Sequence, residues 1–206
     1  MGNSIDIPVL SCRTVLLIAG GPSISTLNID QVNETGYPII VLNNAYRLFP
    51  DADFCFFGDR QWAEWNKEHL VENFSGQILT NHPSKDKKHW NKRFTRLNTT
   101  VAKTLGVPYG ALVGRDSGTK ALSLAYYMGA KRILIAGMDM QAAPDGSMNW
   151  HDYHKATNPP TVYEEKYMQY TVPLIKDLKE RGVELIRITE PSELTDIPFK
   201  AIDQIT

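Results

Sequence analysis

Short, mainly apolar runs separated by polar turns recur along the chain. They occupy residues 14–19, 39–42, 54–57, 77–79, 132–136 and 184–187. Each run is bounded by Gly, Pro, Asn, Asp or another polar residue, and runs of this length and composition are typical of strands buried on both faces of a sheet. The pattern therefore predicts at least six strands.

Helical spacing appears between these runs. Apolar residues recur every three to four positions over 60–74, which predicts an amphipathic helix. Helices are also predicted over 117–128, with Gly129 at the stop, and over 162–181, with Gly182 at the stop. Strands that alternate with helices favour parallel pairing, because parallel strands need a long connection. The predicted fold is α/β and Rossmann-like: a mostly parallel sheet with helices on both faces.

Length and composition narrow this picture. A chain of 206 residues fits one domain, with a core from about residue 14 to 190. The net charge of -1 indicates no particular partner, and two cysteines, Cys12 and Cys55, do not predict a disulfide framework. No apolar run approaches the roughly 18 residues of a membrane span, and no signal-peptide pattern opens the chain. A cytoplasmic location is expected.

Polar turns follow several of the predicted strands. In an open α/β sheet, ligands bind beyond the carboxyl ends of the strands, so these turns are candidate binding elements. The turns are Gly20-Gly21-Pro22-Ser23, Asn43-Asn44, Gly58-Asp59-Arg60 and Gly137-Met138-Asp139. If these turns converge, they form a nucleotide-binding site, and the chain is a single nucleotide-binding domain.

Each turn has a functional and a purely structural interpretation. Gly20 and Gly21 lack Cβ and allow backbone N–H groups to approach a phosphate or ribose, or they form a plain tight turn. Neither the dinucleotide fingerprint nor the Walker loop is present. Asn43 suits a base edge or a ribose hydroxyl, although Asn also favours turns. Asp59 can bind hydroxyls or a metal, or cap the helix that follows it.

The segment Arg115-Asp116-Ser117-Gly118 opens the clearest predicted helix. A fixed cation, a hydroxyl and a helix N-terminus together suit a diphosphate or a carboxylate. The alternative is a capped helix with Arg115 facing solvent.

The segment 145–155 is polar and aromatic and follows a predicted strand end, as catalytic loops often do. Its two histidines, His151 and His154, are candidate general bases, and Tyr153 or Tyr163 is a candidate donor to a departing phosphate. A plain surface loop is the alternative. A metal site at His151, Asp152 and His154 lacks a clear further ligand.

A basic segment spans residues 85–96 and contains Trp90 and Phe94. Basic residues interleaved with aromatic ones can bind nucleic acid, whereas most charge clusters are solvated faces. Both interpretations stay open at this point.

Two stretches carry a family resemblance. Residues 15–24 hold an apolar strand, a glycine turn and Pro-Ser, and residues 116–139 hold a Ser-Gly helix start, a Gly-Ala-Lys turn and a strand ending in Gly-Met-Asp. Their order and spacing, over roughly residues 14 to 190, resemble Campylobacter-type sialyltransferases and archaeal-type 6-hydroxymethylpterin diphosphokinases. The sialyltransferases have an Asn between the two glycines and a second nucleotide-binding Asn where Gly58 stands here.

The resemblance implies a transferase with a nucleotide-activated donor, foremost a nucleotide-sugar-dependent glycosyltransferase. Arg115 would neutralise phosphate charge, His154 or His151 would be the base, and Tyr153 or Tyr163 would stabilise the departing nucleotide. No tightly bound cofactor is expected, and the nucleotide sugar is the donor substrate. The expected nucleotide-binding residues are Gly20, Gly21, Ser23, Asn43, Asp59, Ser117, Gly118, Asp139 and Tyr153.

Two other functions are consistent with the same residues. In a pyrophosphokinase of the hydroxymethylpterin type, Asp59 and Asp139 would hold Mg²⁺ against the phosphates. Alternatively, the chain is a non-enzymatic protein that binds a nucleotide, or nucleic acid through segment 85–96. Phage-encoded proteins also resemble this family. A homo-oligomeric assembly is expected, and the acceptor is unknown.

Overall fold

The computed structural model describes residues 7–82, 90–97, 112–152 and 159–205, and the backbone of residues 101–102. Within these residues the strands are β1 Thr14–Ile18, β2 Ile39–Leu42, β3 Phe54–Phe57, β4 Gln77–Thr80, β5 Phe94–Arg96, β6 Val101–Ala102, β7 Leu112–Val113, β8 Arg132–Ala136 and β9 Glu184–Arg187. The α-helices are α1 Ile29–Glu34, α2 Arg60–Asn73, α3 Ser117–Tyr127 and α4 Met168–Glu180. A π-helical turn, Tyr163–Tyr167, leads directly into α4.

Seven of the described strands form one sheet in the order β5-β4-β3-β2-β1-β8-β9, and every neighbouring pair is parallel. The chain runs outward from β1 to β5 and then returns to place β8 on the other side of β1. The strand order therefore reverses between β1 and β8, which is the position where open α/β sheets usually bind ligands. The predicted α/β fold with a parallel sheet is confirmed.

Alternate residues of each strand pack into two apolar layers. In β1, Val15 and Leu17 face the layer that contains α3 and α4, while Leu16 and Ile18 face the layer that contains α2. All four side chains are fully buried. Both faces of the sheet are covered, which explains why the strands appear in the sequence as continuous apolar runs.

Several short elements were not predicted from the sequence. β6 and β7 have two residues each, and α1 has six, so none is long enough for a clear periodic signal. β5 lies within the basic segment, where alternating charged residues obscure it. The six predicted strands and three predicted helices are all present, with ends that differ by one or two residues, except that the helix predicted over 162–181 begins with the π-helical turn and becomes α-helical only at Met168.

Both cysteines are free, Cys12 at the surface and Cys55 in the core. In the described part of the chain, no helix has the length and apolar character needed to cross a membrane.

Candidate functional site

A cleft of about 1200 Å³ opens at the carboxyl edge of the sheet, above the point where the strand order reverses. The turns that follow four strands line it, together with the first turn of α3, the loop 145–152 and the π-helical turn that precedes α4. The turns after β1, β2, β3 and β8 were each identified from the sequence as candidate binding elements. The structure brings all four into one cleft.

The two glycines after β1 have different roles. A Cβ on Gly21 would lie 2.6 Å from both Asp139 Oδ2 and the carbonyl oxygen of Gly137, whereas the nearest atom to a Cβ on Gly20 is Asn149 Oδ1 at 3.7 Å. Gly21 is thus required by the close packing of the turns after β1 and β8. Gly20 is the glycine whose backbone a ligand can approach.

Ser23 and Asp139 join these same two turns. The backbone N–H of Ser23 donates to Asp139 Oδ2 at 2.7 Å, and its hydroxyl donates to Oδ1 at 2.5 Å. Thr189 completes the cluster, because its Oγ1 lies 2.8 Å from Ser23 Oγ and accepts from the N–H of Gly137. Burial raises the pKa of Asp139, and the two bonds from Ser23 oppose that rise. Ser23 is buried, whereas Asp139 also borders the cleft; nucleotide contact by either residue stays a prediction.

Asn43 follows β2 directly and adopts a left-handed backbone conformation with φ of 49°. Asn tolerates this region better than most residues. Its Oδ1 is buried and has no hydrogen-bond partner among the described residues. An unsatisfied buried acceptor costs about 1–3 kcal/mol. A strained backbone and an unpaired buried polar atom are both characteristic of functional sites, where a ligand can complete the hydrogen bonding.

Trp150 contributes the complementary group and was not identified from the sequence. Its indole Nε1 is buried with no hydrogen-bond partner among the residues that the structure describes, and its ring borders the cleft. The Trp150 backbone N–H donates to the carbonyl oxygen of Gly20 at 3.1 Å, which fixes the loop against the glycine turn. The cleft therefore holds one buried donor and one buried acceptor for a ligand.

His151 also borders the cleft, where Asn44 and Trp62 hold it. Trp62 Nε1 donates to Asn44 Oδ1 at 3.2 Å, and Asn44 Nδ2 lies 3.2 Å from His151 Nε2. His154 and Tyr153 lie outside the described residues, so the roles of His154 as a base and of Tyr153 as a donor to the phosphate stay predictions.

The start of α3 is capped by Asp116, as in the purely structural interpretation of this segment. Asp116 accepts from the backbone N–H of Thr119 at 2.8 Å and from its hydroxyl at 2.6 Å. Ser117 and Gly118 border the cleft at the N-terminus of the helix, where the helix dipole favours an anion.

Arg115 lies at the rim of the cleft, and its side chain contacts Tyr170 of α4. Its Nε donates to the hydroxyl of Tyr170 at 3.1 Å, and its guanidinium lies 5.8 Å from the centre of the tyrosine ring. The residue is exposed, so its charge can reach a ligand in the cleft. Tyr170 was not identified from the sequence.

Lys120 is a second cation in the cleft that sequence reasoning missed. It lies one helical turn after Asp116, and its Nζ is 3.2 Å from the position of a Cβ on Gly58. Burial lowers the pKa of Lys120, while the carboxylates of Asp116 and Asp59 oppose this effect. Gly58 thus leaves room for the Lys120 side chain beside the carboxyl end of β3.

Asp116 makes stability depend on pH. Burial raises its pKa above the ordinary value, so in acid the folded chain binds more protons than the unfolded chain. The free energy of unfolding should therefore fall as pH rises from about 4 through the folded pKa. In Asp116→Asn the cap is kept, because Asn and Asp cap equally well, and we expect a flatter slope above about pH 4. Denaturant titrations at several pH values measure it, and an unchanged slope contradicts this assignment.

Two tyrosines from the π-helical turn complete the wall. Tyr163 and Tyr167 border the cleft and pack edge to face, with ring centres 5.9 Å apart. Burial raises the pKa of Tyr163 to about 12 and also raises that of Tyr167, so both are neutral phenols that can donate. The Tyr163 hydroxyl donates to the carbonyl oxygen of Met148 at 3.4 Å. Short π-helical segments are frequent at functional sites.

Asp59 caps α2 by accepting from the N–H groups of Gln61 at 2.6 Å and Trp62 at 3.1 Å. It follows β3, which is three positions from β8 in the sheet order, and both Asp59 and Asp139 border the cleft. Magnesium binding by Asp59 and Asp139 stays a prediction. Among the described residues, no group of three or more His, Cys, Asp and Glu side chains is arranged to hold a metal.

The basic segment is only partly described. Residues 90–97 include the edge strand β5, and Arg93 donates to the carbonyl oxygens of Val71, Ser75 and Gly76 at the end of α2. Arg93 thus has a structural role. Lys85, Lys87 and Lys88 lie outside the described residues, and nucleic-acid binding stays a prediction.

Comparison with known proteins shows the fold. No protein-family model and no curated protein matches the chain. Among solved structures, the chain is similar to the sialyltransferase CstII from Campylobacter jejuni, determined in complex with the substrate analogue CMP-3FNeuAc. The TM-score is 0.56 at 15% sequence identity, and the match covers 92% of this chain and 86% of that chain. The predicted likeness to diphosphokinases is not supported by these comparisons.

Proposed function

We propose that this chain is a transferase that uses a nucleotide-activated donor, specifically a glycosyltransferase that uses a nucleotide sugar. The observation that carries the proposal is the cleft at the reversal of strand order, where polar turns from four strands meet a helix N-terminus. Its volume of about 1200 Å³ exceeds the roughly 300–1000 Å³ of sites for single small ligands. A nucleotide sugar and an acceptor can occupy it together. The fold likeness to a sialyltransferase supports the same choice.

The cleft residues suit the parts of such a donor. Gly20 allows close approach to the backbone, and Asn43 Oδ1 with Trp150 Nε1 offers an acceptor and a donor for ribose hydroxyls or a base edge. Arg115 and the N-terminus of α3 bind the phosphate, and Lys120 supplies further positive charge.

The reaction breaks the bond between the sugar carbon and the phosphate oxygen, and the acceptor hydroxyl forms the new bond to that carbon. The departing phosphate retains the bonding electrons, and its growing negative charge is stabilised by Arg115, the α3 N-terminus and the phenol of Tyr167, with Tyr163 as a further donor if its hydroxyl turns away from the Met148 carbonyl. A histidine of the loop takes the proton of the acceptor hydroxyl. His154 is the leading candidate, and Tyr153 would assist the leaving group.

Donor turnover tests this function. Purified protein is incubated with CMP-, UDP- and GDP-sugars, and release of the free nucleotide is measured with and without excess chelator. We expect release from one member of the panel. No release or transfer with any donor would contradict the proposal, and tight binding without turnover would leave only a nucleotide-binding module. Release of AMP from ATP that requires Mg²⁺ would instead favour pyrophosphoryl transfer.

Arg115→Ala should weaken nucleotide binding by about ten- to a hundredfold. Hydrogen bonds to charged groups contribute about 1.5–3 kcal/mol, and 1.4 kcal/mol corresponds to a factor of ten. Arg132→Ala is the matched control. Arg132 lies at the amino end of β8, whereas the cleft lies at the carboxyl ends of the strands, and it pairs with Glu184. Calorimetric titration with the active nucleotide compares them. Equal losses in both variants would show that Arg115 acts only through net charge.

A further inference from the structure

A buried hydrogen-bonded chain connects α2, the end of β2 and the loop 145–152. Trp62 Nε1 donates to Asn44 Oδ1, and Asn44 Nδ2 faces His151 Nε2, both at 3.2 Å. Trp62 and Asn44 are each 2% exposed. The ring of His151 also packs edge to face on Trp150, with centres 4.9 Å apart and planes at 88°. Several contacts therefore hold the imidazole in one orientation.

The chemistry of these groups determines the position of the proton on His151. An indole N–H is only a donor, so the Asn44 atom that faces Trp62 must be the carbonyl oxygen. The amide NH₂ group, also only a donor, then faces His151. The bond can form only when His151 Nε2 carries a lone pair. In the neutral imidazole the single proton is then on Nδ1.

We propose that Asn44 is a positioning residue that fixes His151 as the neutral Nδ1–H tautomer, so that the Nε2 lone pair is engaged and His151 is not the general base. Its tautomer follows from the hydrogen bonds alone, whereas its part in catalysis rests on the proposed glycosyl transfer. A base must present a lone pair to the proton that it accepts. In His151 the Nε2 lone pair accepts from Asn44, and Nδ1 already carries the proton.

The tautomer is directly measurable in the free protein. In a chain with ¹⁵N-labelled histidine, spectra that correlate ring protons with ring nitrogens distinguish protonated from unprotonated nitrogens. The spectra are recorded near pH 8, above the usual histidine pKa of about 6.5. His151 is assigned among the five histidines by the signals lost in His151→Asn. We expect protonated Nδ1 and unprotonated Nε2. A predominantly protonated Nε2 overturns the proposal.

Substitution of Asn44 reverses the prediction. In Asn44→Asp, one carboxylate oxygen accepts from Trp62 and the other accepts from His151, so the proton should move to Nε2. Asn43→Asp is the matched control, since it makes the same change of charge one residue earlier, and we expect the Nδ1–H tautomer to persist there. An unchanged tautomer in Asn44→Asp, or the same switch in both variants, overturns the proposal.

A second variant covers the case in which a carboxylate at this buried position prevents folding. Trp62→Phe removes the donor that orients the Asn44 amide, and we expect both tautomers of His151 to become populated. A single Nδ1–H form in this variant would contradict the orienting role of Trp62. None of these spectra depends on turnover, so a chain that transfers no sugar would refute the proposed function and leave the tautomer result intact.

Discussion

Replacing Gly21 by alanine should lower the free energy of unfolding by about 1–3 kcal/mol, the usual cost of forcing atoms into a packed interior. The new Cβ would lie 2.6 Å from Asp139 Oδ2 and from the carbonyl oxygen of Gly137. The backbone of Gly21, with φ of -70° and ψ of 160°, suits any residue, so the cost comes from these contacts and not from backbone strain. The turns after β1 and β8 would have to separate, and the cleft would change shape.

Gly20→Ala is the matched control. Its Cβ would find Asn149 Oδ1 at 3.7 Å, an ordinary contact, so we expect the free energy of unfolding to change by less than about 0.5 kcal/mol. Nucleotide affinity should still fall, because the added methyl group stands where a ligand approaches the backbone. Urea titrations and calorimetry separate the two quantities. Equal destabilisation of the two variants would refute the division of roles between the glycines.

Removing the proposed base should have the largest effect on activity. General-base catalysis contributes about 10²–10⁴-fold, so we expect kcat of His154→Ala to fall by that factor while nucleotide affinity changes little. We propose His154 rather than His151 as the base, because Asn44 faces the Nε2 atom of His151. Initial rates with the active donor and saturating acceptor measure the effect.

His151→Asn completes the comparison. An asparagine amide keeps an N–H group but cannot accept a proton as a base at neutral pH, so a position that does not supply the base should lose less than about tenfold in rate. If His151 were the general base, this variant would lose base catalysis entirely. A larger loss in His151→Asn than in His154→Ala would make His151 the base and contradict the assigned role. Melting temperatures of both variants verify that they are folded.

The fold could be predicted because its strands are buried on both faces. Ile39–Leu42 is a continuous apolar run for that reason, and Asn43 was identified because it directly follows this run. The glycine turn and the start of α3 have equally local signals, in Gly20-Gly21 and in the capping residue Asp116. The carboxyl ends of parallel strands lie at the same edge of a sheet, where ligands bind, so these elements are expected near one another.

Contacts between residues distant in the sequence could not be predicted. Ser23 and Asp139 are 116 positions apart, and Asn44 and His151 are 107 apart, so no local pattern links them. The different roles of Gly20 and Gly21 depend on what each Cβ would contact. Lys120 offered a weak signal, its position one helical turn after the capping Asp116, but only the structure shows that Gly58 leaves room for it.

Nucleotide binding in the cleft is tested most directly by the indole N–H signals of the four tryptophans. Trp150 borders the cleft with a buried N–H that has no partner among the described residues, whereas Trp65 lies on α2 away from the cleft lining. Titration of ¹⁵N-labelled protein with CMP-, UDP- and GDP-sugars should shift the Trp150 signal in a saturable manner and leave that of Trp65 in place. If no donor binds, or if binding leaves Trp150 unmoved, the cleft is not the nucleotide site.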